Sequence, residues 1–213
     1  MNESVILKKY LEPYDTEIQV GVDEAGRGTL FGPVFVGAVI WNNDIEHHDL
    51  INIKDSKKLT KKKRDEMRDF IEKNALAWAV SSCDHSIIDD INILNATYKA
   101  MHKALKIIYE NNIKFDRILV DGNRFKPFLT SNGFINHECV IKGDNKYIHI
   151  AAASILAKTH HDEYIENKCA ENSDFIKYGL LTNQGYGTKK HREAIKEFGL
   201  TDYHRKSFKI NLN

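Results

Sequence analysis

The segment "RILVDG" (117–122) constrains the fold more than any other stretch of the chain. Ile118, Leu119 and Val120 form an apolar run without alternation, so the strand they predict must be covered on both faces, as in a parallel sheet between helical layers. The neighbouring segments agree. "IQVGVDEA" (18–25) and "PVFVGAVIW" (33–41) predict two strands joined by a glycine-rich turn, "LAWAVSSCD" (76–84) predicts another, and "ECVIKGD" (138–144) a shorter one. Helical spacing appears between them: Met67, Phe70 and Ile71 follow a Thr60 cap in 60–75, and Leu94, Tyr98, Met101, Leu105 and Ile108 share a face in 93–112. A long helix over 147–170 begins with small residues, which allow close packing on a sheet. With three prolines and no Gly/Ser-rich linker, residues 1–213 are expected to form a single α/β domain, a mixed central sheet flanked by helices.

Composition narrows the function. No apolar run approaches membrane-spanning length and the N-terminus lacks a signal-peptide core, so a cytoplasmic protein is expected. Cys83, Cys139 and Cys169 are odd in number and widely separated, which predicts reduced thiols rather than disulfides or zinc ligands. His47-His48 and His160-His161 lack metal-ligand spacing and are expected to be solvated or locally hydrogen-bonded.

The acids carry the chemistry. Asp23 and Glu24 end one predicted strand, Asp121 ends a second, and Asp144 follows a third just before a helix. In open α/β sheets, sites assemble at the carboxyl ends of strands. An aspartate at one strand end is an ordinary turn or cap residue; acids at three strand ends are not so readily explained. Carboxylates gathered together raise one another's pKa and need a cation to stay ionised. Oxygen-only donors suit Mg²⁺ or Mn²⁺, and two such ions about 4 Å apart can activate water and stabilise a leaving oxygen in phosphoester cleavage. One obstacle stands out: strand alternation sends Asp23 and Glu24 to opposite faces, so a shared site predicts a twist or bulge at Gly26.

The net charge of +1 conceals an uneven distribution. "DSKKLTKKKR" (55–64) holds six Lys or Arg against one acid, and 188–209 holds seven against three. The helices predicted after Thr60 and Thr188 both place cations in their first turn: Lys61, Lys62 and Lys63 in one, Lys189, Lys190, His191 and Arg192 in the other. Cations there oppose the helix dipole. Either a phosphate backbone or a plain solvated face accounts for them.

Taken in order, "GVDEAGRG", "FGPV", "DSKKL", "LVDGN", "KGD", "IAAASILAK", "GYGTKKH" and "HRKSF" resemble type 2 ribonuclease H (ribonuclease HII) across residues 18–208. The resemblance implies the ribonuclease H-like fold and a metal-dependent endonuclease that hydrolyses the RNA strand of RNA/DNA hybrids. It also implies cutting 5′ of ribonucleotides embedded in duplex DNA, leaving 3′-hydroxyl and 5′-phosphate ends. By position, the family's catalytic, metal-binding carboxylates fall on Asp23, Glu24, Asp121 and Asp144, holding Mg²⁺ or Mn²⁺. Its substrate-binding positions fall on Gly26, Arg27 and Gly28, on Lys57 as a phosphate contact, and on Tyr186 at the RNA-to-DNA junction. Distinguishing RNA requires contact with the 2′-hydroxyl, and glycines let main-chain groups come that close.

Asn183-Gln184 stand where the family often has a basic residue, and Phe31 replaces a common alanine. Lys158 and Asp162 are expected to form an (i, i+4) pair without a catalytic role, whereas His204, Arg205 and Ser207 either contact the nucleic-acid backbone or cap the fold. A monomer without membrane association is expected, and no sliding-clamp-binding tail is recognisable after Phe208. Another nuclease or strand-transfer enzyme of the same fold, and a catalytically silent hybrid-binding protein, remain alternatives at this point.

Overall fold

A computed structural model describes residues 7–41, 53 and 59–210. Strands β1 (Gln19–Ala25), β2 (Val34–Trp41), β3 (Ala75–Cys83) and β4 (Arg117–Asp121) form a five-stranded sheet with the fifth sequential strand of that sheet, Asn136–Val140. Between β4 and that strand lies a small hairpin of β5 (Leu129–Thr130) and β6 (Gly133–Phe134), so Asn136–Val140 is β7. The sheet order is β3-β2-β1-β4-β7. The β1, β2 and β3 pairings are antiparallel, whereas β4 is parallel to both β1 and β7. As its unbroken apolar run requires, β4 is buried on both faces: Ile118, Leu119 and Val120 are fully enclosed.

Among the described residues, five α-helices flank the sheet: α1 (Lys61–Asn74), α2 (His85–Glu110), α3 (Ile148–Glu171), α4 (Leu180–Asn183) and α5 (Lys189–Phe198). On one face α2 packs Met101, Leu105 and Ile108 against Val20, Val22, Val36, Ala38, Ile118 and Val120. On the other, α1 and α3 pack Ile71, Ala152, Ile155 and Leu156 with Val39 and Trp41. The small-residue start of α3 meets glycines in the sheet. A Cβ on Gly37 would stand 2.3 Å from the Ala153 carbonyl oxygen, so the helix rests directly on strand backbone there. A third cluster, around Phe31, Ile165, Tyr178, Leu180 and Ile195, joins the C-terminal part of the chain to the loop after β1. Phe31 is fully buried, edge-on to Phe175 at 5.3 Å and stacked on Tyr203 at 5.7 Å, so its bulk fills this cluster.

Two boundaries depart from the sequence expectation. Helix α2 begins at His85, not Ile93, because two helical segments meet at Asn92, whose backbone is left-handed in φ (66°). The Asn92 side chain accepts from the Asn95 N–H at 3.1 Å and so caps the second segment where the periodicity starts. Strand β7 stops at Val140 rather than running to 144, since Lys142 turns left-handed (φ 56°) into a 3-10 turn over Gly143–Asn145. Cys83, Cys139 and Cys169 are free thiols. Among the described residues, no helix is long and apolar enough to cross a membrane. His47 and His48 lie outside the described residues.

Candidate active site

Parallel register brings the acids of different strands together. Val22 pairs with Val120, so one step further along β1 and β4 stand Asp23 and Asp121. Residues two apart share a face, and Val20, Val22, Ile118 and Val120 all point toward α2. Asp23 and Asp121 therefore both point toward α3. Asp23 is buried, accepts the Glu24 N–H at 2.7 Å and receives a hydrogen bond from the Ser154 side chain on α3. Asp121 Oδ1 accepts the Gly143 N–H at 2.7 Å, which ties the end of β4 to the turn carrying buried Asp144. Asn145 donates to Asp144 Oδ1 at 2.9 Å.

Glu24 reaches the same region without the expected bulge. Pairing of β1 with β2 is regular from Gly21–Val39 to Ala25–Phe35, so Glu24 keeps the α2-facing orientation that alternation dictates. It stands one residue from the strand's end and lines depressions on both sides. One, of about 200 Å³, also holds Asp121, Arg124, Tyr98 and Met101. The other, of about 430 Å³, is formed with Gly26, Arg27, Gly28, Ser154, Lys158 and Tyr186. Arg27 is half exposed and its guanidinium lies 3.4 Å from Glu24 Oε1. The backbone turn comes after the strand, at Gly26 (φ 78°), where a Cβ would stand 2.4 Å from the His161 ring.

The electrostatics of this corner are those of a site short of positive charge. Burial holds the Asp23 carboxyl well above the usual carboxylate range, and the charges of Glu24 and Asp121 push it further. The donors are all oxygens, which fits Mg²⁺ or Mn²⁺. Among the described residues no three carboxyl, imidazole or thiol groups already form a ligand cage.

Tyr186 sits beside the glycine turn. The residue is 40 % exposed, and a Cβ on Gly28 would be 3.9 Å from Tyr186 Cε1. Lys158 Nζ lies 5.8 Å from the ring centre and donates to Asp162 at 2.7 Å, the pair expected from the sequence. His161, deeply buried, bonds Asp162 through Nδ1 at 3.0 Å, and His160 bonds Glu72 at 3.2 Å, so both are locally hydrogen-bonded. Asn183 shapes the turn before Tyr186, accepting the Gly185 N–H and donating to the Tyr178 carbonyl, each at 2.8 Å.

Arg205 belongs to the architecture of this loop. Fully buried, it donates to three main-chain carbonyls: Gly26 at 2.7 Å, Arg27 at 2.9 Å and Gly32 at 2.9 Å. Burial lowers its pKa to about 10. His204 is likewise buried, so for Arg205 and His204 the structure selects the capping role, while the exposed Ser207 bonds Asp89. The cations of α1 also have structural partners. Lys61 pairs with Glu166, and Arg64 lies 3.7 Å from Asp162, both acids on α3. Lys63 pairs with Glu66 at 3.2 Å. Lys61 and Lys63 of the α1 first turn thus face acids on α3 and on α1 itself. Lys57 lies outside the described residues. Ser154, Arg124 and the carbonyl-binding role of Arg205 escaped the sequence, where nothing marks a helix serine or a C-terminal arginine as a neighbour of residues 23–32.

A mixed sheet in the order β3-β2-β1-β4-β7, with acids at neighbouring strand ends and helices on both faces, defines an α/β protein of the ribonuclease H-like fold. Ribonuclease H2 from Pyrococcus horikoshii superimposes with a TM-score of 0.70 at 25 % identity, covering 90 % of this chain and 94 % of that one. A chain of the PCNA:RNase HII complex from Archaeoglobus fulgidus gives a TM-score of 0.69 at 24 % identity, covering 91 % of this chain and 96 % of its own. The family model "Ribonuclease HII" matches residues 20–211. The ribonuclease HII of Christiangramia forsetii is 50 % identical over 200 residues, 92 % of this chain and 93 % of its own length. That of Parabacteroides distasonis is 47 % identical over 193 residues, 91 % and 90 % of the two chains. The chain belongs to the ribonuclease HII family, and as a member it is an enzyme, a ribonuclease H.

Proposed function

We propose that the chain hydrolyses the RNA strand of RNA/DNA hybrids and also cuts duplex DNA 5′ of an embedded ribonucleotide, leaving 3′-hydroxyl and 5′-phosphate ends. The observation that carries this is one shared cleft: Glu24, one residue from the buried Asp23, lines the same depression as Gly26, Arg27, Gly28 and Tyr186. Carboxylates for phosphoester chemistry thus adjoin a main-chain turn narrow enough to approach a sugar edge.

We assign Asp23, Glu24, Asp121 and Asp144 as the metal ligands. Bound Mg²⁺ or Mn²⁺ would supply the charge that acidifies an attacking water and neutralises the leaving oxygen. The chain's own part is positional. The Asp23 carboxylate is held by the Glu24 N–H and Ser154, and that of Asp121 by the Gly143 N–H. Gly28 is exposed and lacks a side chain, so its main chain can meet a 2′-hydroxyl, the group that distinguishes RNA from DNA. Arg27, half exposed beside Glu24, is free to turn toward a phosphate, and Lys57 is assigned a second phosphate contact. Tyr186 packs on the sugar at the junction. The setting is the cytoplasm, the partner a duplex, and the acting unit a monomer.

The test compares three duplexes, one with a single ribonucleotide, one an RNA/DNA hybrid and one all DNA, with and without divalent metal. Metal-dependent cutting of the first two alone is expected, and Asp121→Asn should abolish it while the circular dichroism and melting remain native. Cleavage of all-DNA duplex at a comparable rate, or normal turnover by Asp121→Asn, would refute the assignment.

A further inference from the structure

Two buried histidines that the proposed chemistry does not use stand directly behind Tyr186. His191, in the first turn of α5, and His204, in the loop after it, are fully enclosed, with their Nε2 atoms 3.0 Å apart. Two ring nitrogens at that distance share one proton, so one donates and the other accepts. The far ends of the pair decide which does what. The Thr201 backbone N–H can only donate, and it lies 2.9 Å from His204 Nδ1, which must therefore carry a lone pair. The His204 proton is then on Nε2, and His191 Nε2 accepts it. The His191 proton is left on Nδ1, which stands 3.0 Å from the Tyr186 carbonyl oxygen.

The hydrogen bonds thus run one way, from Thr201 N–H through His204 and His191 to Tyr186 C=O, and every ring nitrogen has a partner. The Thr201 hydroxyl, 2.8 Å from His204 Nδ1, fits as a second donor to the same lone pair. Burial keeps both imidazoles below their ordinary range, with His204 at about 3. Both rings therefore remain neutral near pH 7. Tyr186 needs such an anchor, because it lies between Gly185, which is left-handed (φ 80°), and Gly187. Its carbonyl also takes the Thr188 N–H at 2.8 Å, at the cap of α5.

We propose that His204 and His191 are positioning residues for Tyr186: their fixed tautomers form a relay that holds the tyrosine's peptide, and through it the ring, beside Gly28 for the ribonucleotide junction. This inference rests on the assignment of Tyr186 to substrate made above.

Nitrogen-15 NMR of histidine-labelled protein reads the tautomers without any substitution. His204 should be protonated at Nε2 and bare at Nδ1, and His191 the reverse; the opposite tautomer at either ring, or an imidazolium at neutral pH, overturns the relay. Two variants separate its links. An asparagine can offer an amide N–H where Nδ1 stood, whereas a glutamine reaches toward the Nε2 position. His191→Gln should lower the cleavage rate on a single embedded ribonucleotide, relative to a long hybrid, by about fivefold to tenfold, the rate equivalent of one neutral hydrogen bond. His191→Asn should restore most of that ratio. Equal losses on both substrates in His191→Gln, or no recovery in His191→Asn, would assign the pair to packing and overturn the proposal. If His191→Gln does not fold, the NMR tautomers and the near-native ratio expected of His191→Asn decide it. Tyr186→Ala is the control: an unchanged ratio there, with the tautomers as stated, refutes the junction role of Tyr186 and leaves the relay as the anchor of that turn.

Discussion

Replacing Arg205 by Met tests how the loop after β1 is held. The guanidinium gives three hydrogen bonds to main-chain carbonyls, at 2.7, 2.9 and 2.9 Å. The Gly26 carbonyl would keep the Thr29 hydroxyl at 2.9 Å, and the exposed Arg27 can turn its carbonyl to water, but the Gly32 carbonyl would be left buried without its donor. Hydrogen bonds from a charged donor contribute about 1.5–3 kcal/mol each, and a buried carbonyl left alone costs about 1–3 kcal/mol. Against this, methionine no longer buries a charge, a relief on the order of 3 kcal/mol judged from the fall of the Arg205 pKa to about 10. With the orphaned carbonyl counted within the three bonds, the net expectation is a loss of about 1.5–6 kcal/mol, which in a chain of this length lowers Tm by roughly 3–13 °C. Urea unfolding at constant slope and thermal melting measure it. Cleavage assayed well below the new Tm should also fall, since the residues released are Gly26 and Arg27 of the proposed substrate turn. Arg205→Lys should rescue little, because an ammonium lacks the planar fork that serves three carbonyls. A change in stability below about 0.5 kcal/mol, the scale of an ordinary surface substitution, would show that Arg205 does not hold the loop.

Two further outcomes are expected. Because the folded-state pKa of Asp23 is raised above its unfolded value, its protonated form favours the folded state; the stability it contributes is present at low pH and is lost as pH rises through the folded pKa. Metal-free protein should therefore lose stability over that rise, and Asp23→Asn, or added Mg²⁺, should abolish the loss; identical pH profiles for wild type and Asp23→Asn would contradict it. Gly26→Ala combines a left-handed φ of 78° with a Cβ 2.4 Å from the His161 ring. A loss of about 2–4 kcal/mol is expected in melting experiments from backbone strain plus overpacking, with reduced cleavage of ribonucleotide-containing duplex; native stability would show that the turn relaxes freely.

The sequence by itself determined the layers and the edge at which the acids lie. An unbroken Ile118-Leu119-Val120 run requires cover on both faces, and apolar strands ending in Asp23-Glu24 and Asp121 put carboxylates where those strands leave the core. Ordered motifs along the chain also named the family. These features are local: period, run length and turn residues are set by neighbours in the chain.

Tertiary structure decided which ends meet and what supports them. That Asp23 and Asp121 share a face follows from the parallel Val22–Val120 register, which neither strand encodes alone. Glu24 needed no bulge, because a side chain one residue from the end of a regular strand can line depressions on both faces. The cations opposing the α1 dipole left phosphate and a solvated face both open, and Lys61 pairs with Glu166 of α3, 105 residues away. Arg205 is separated by 179 positions from the Gly26 carbonyl it binds, and Ser154 comes from a helix on the other layer. Helical and strand periodicity say which way a side chain points. They do not say which distant backbone will be waiting there, because that depends on register and layer packing, which only the closed fold sets.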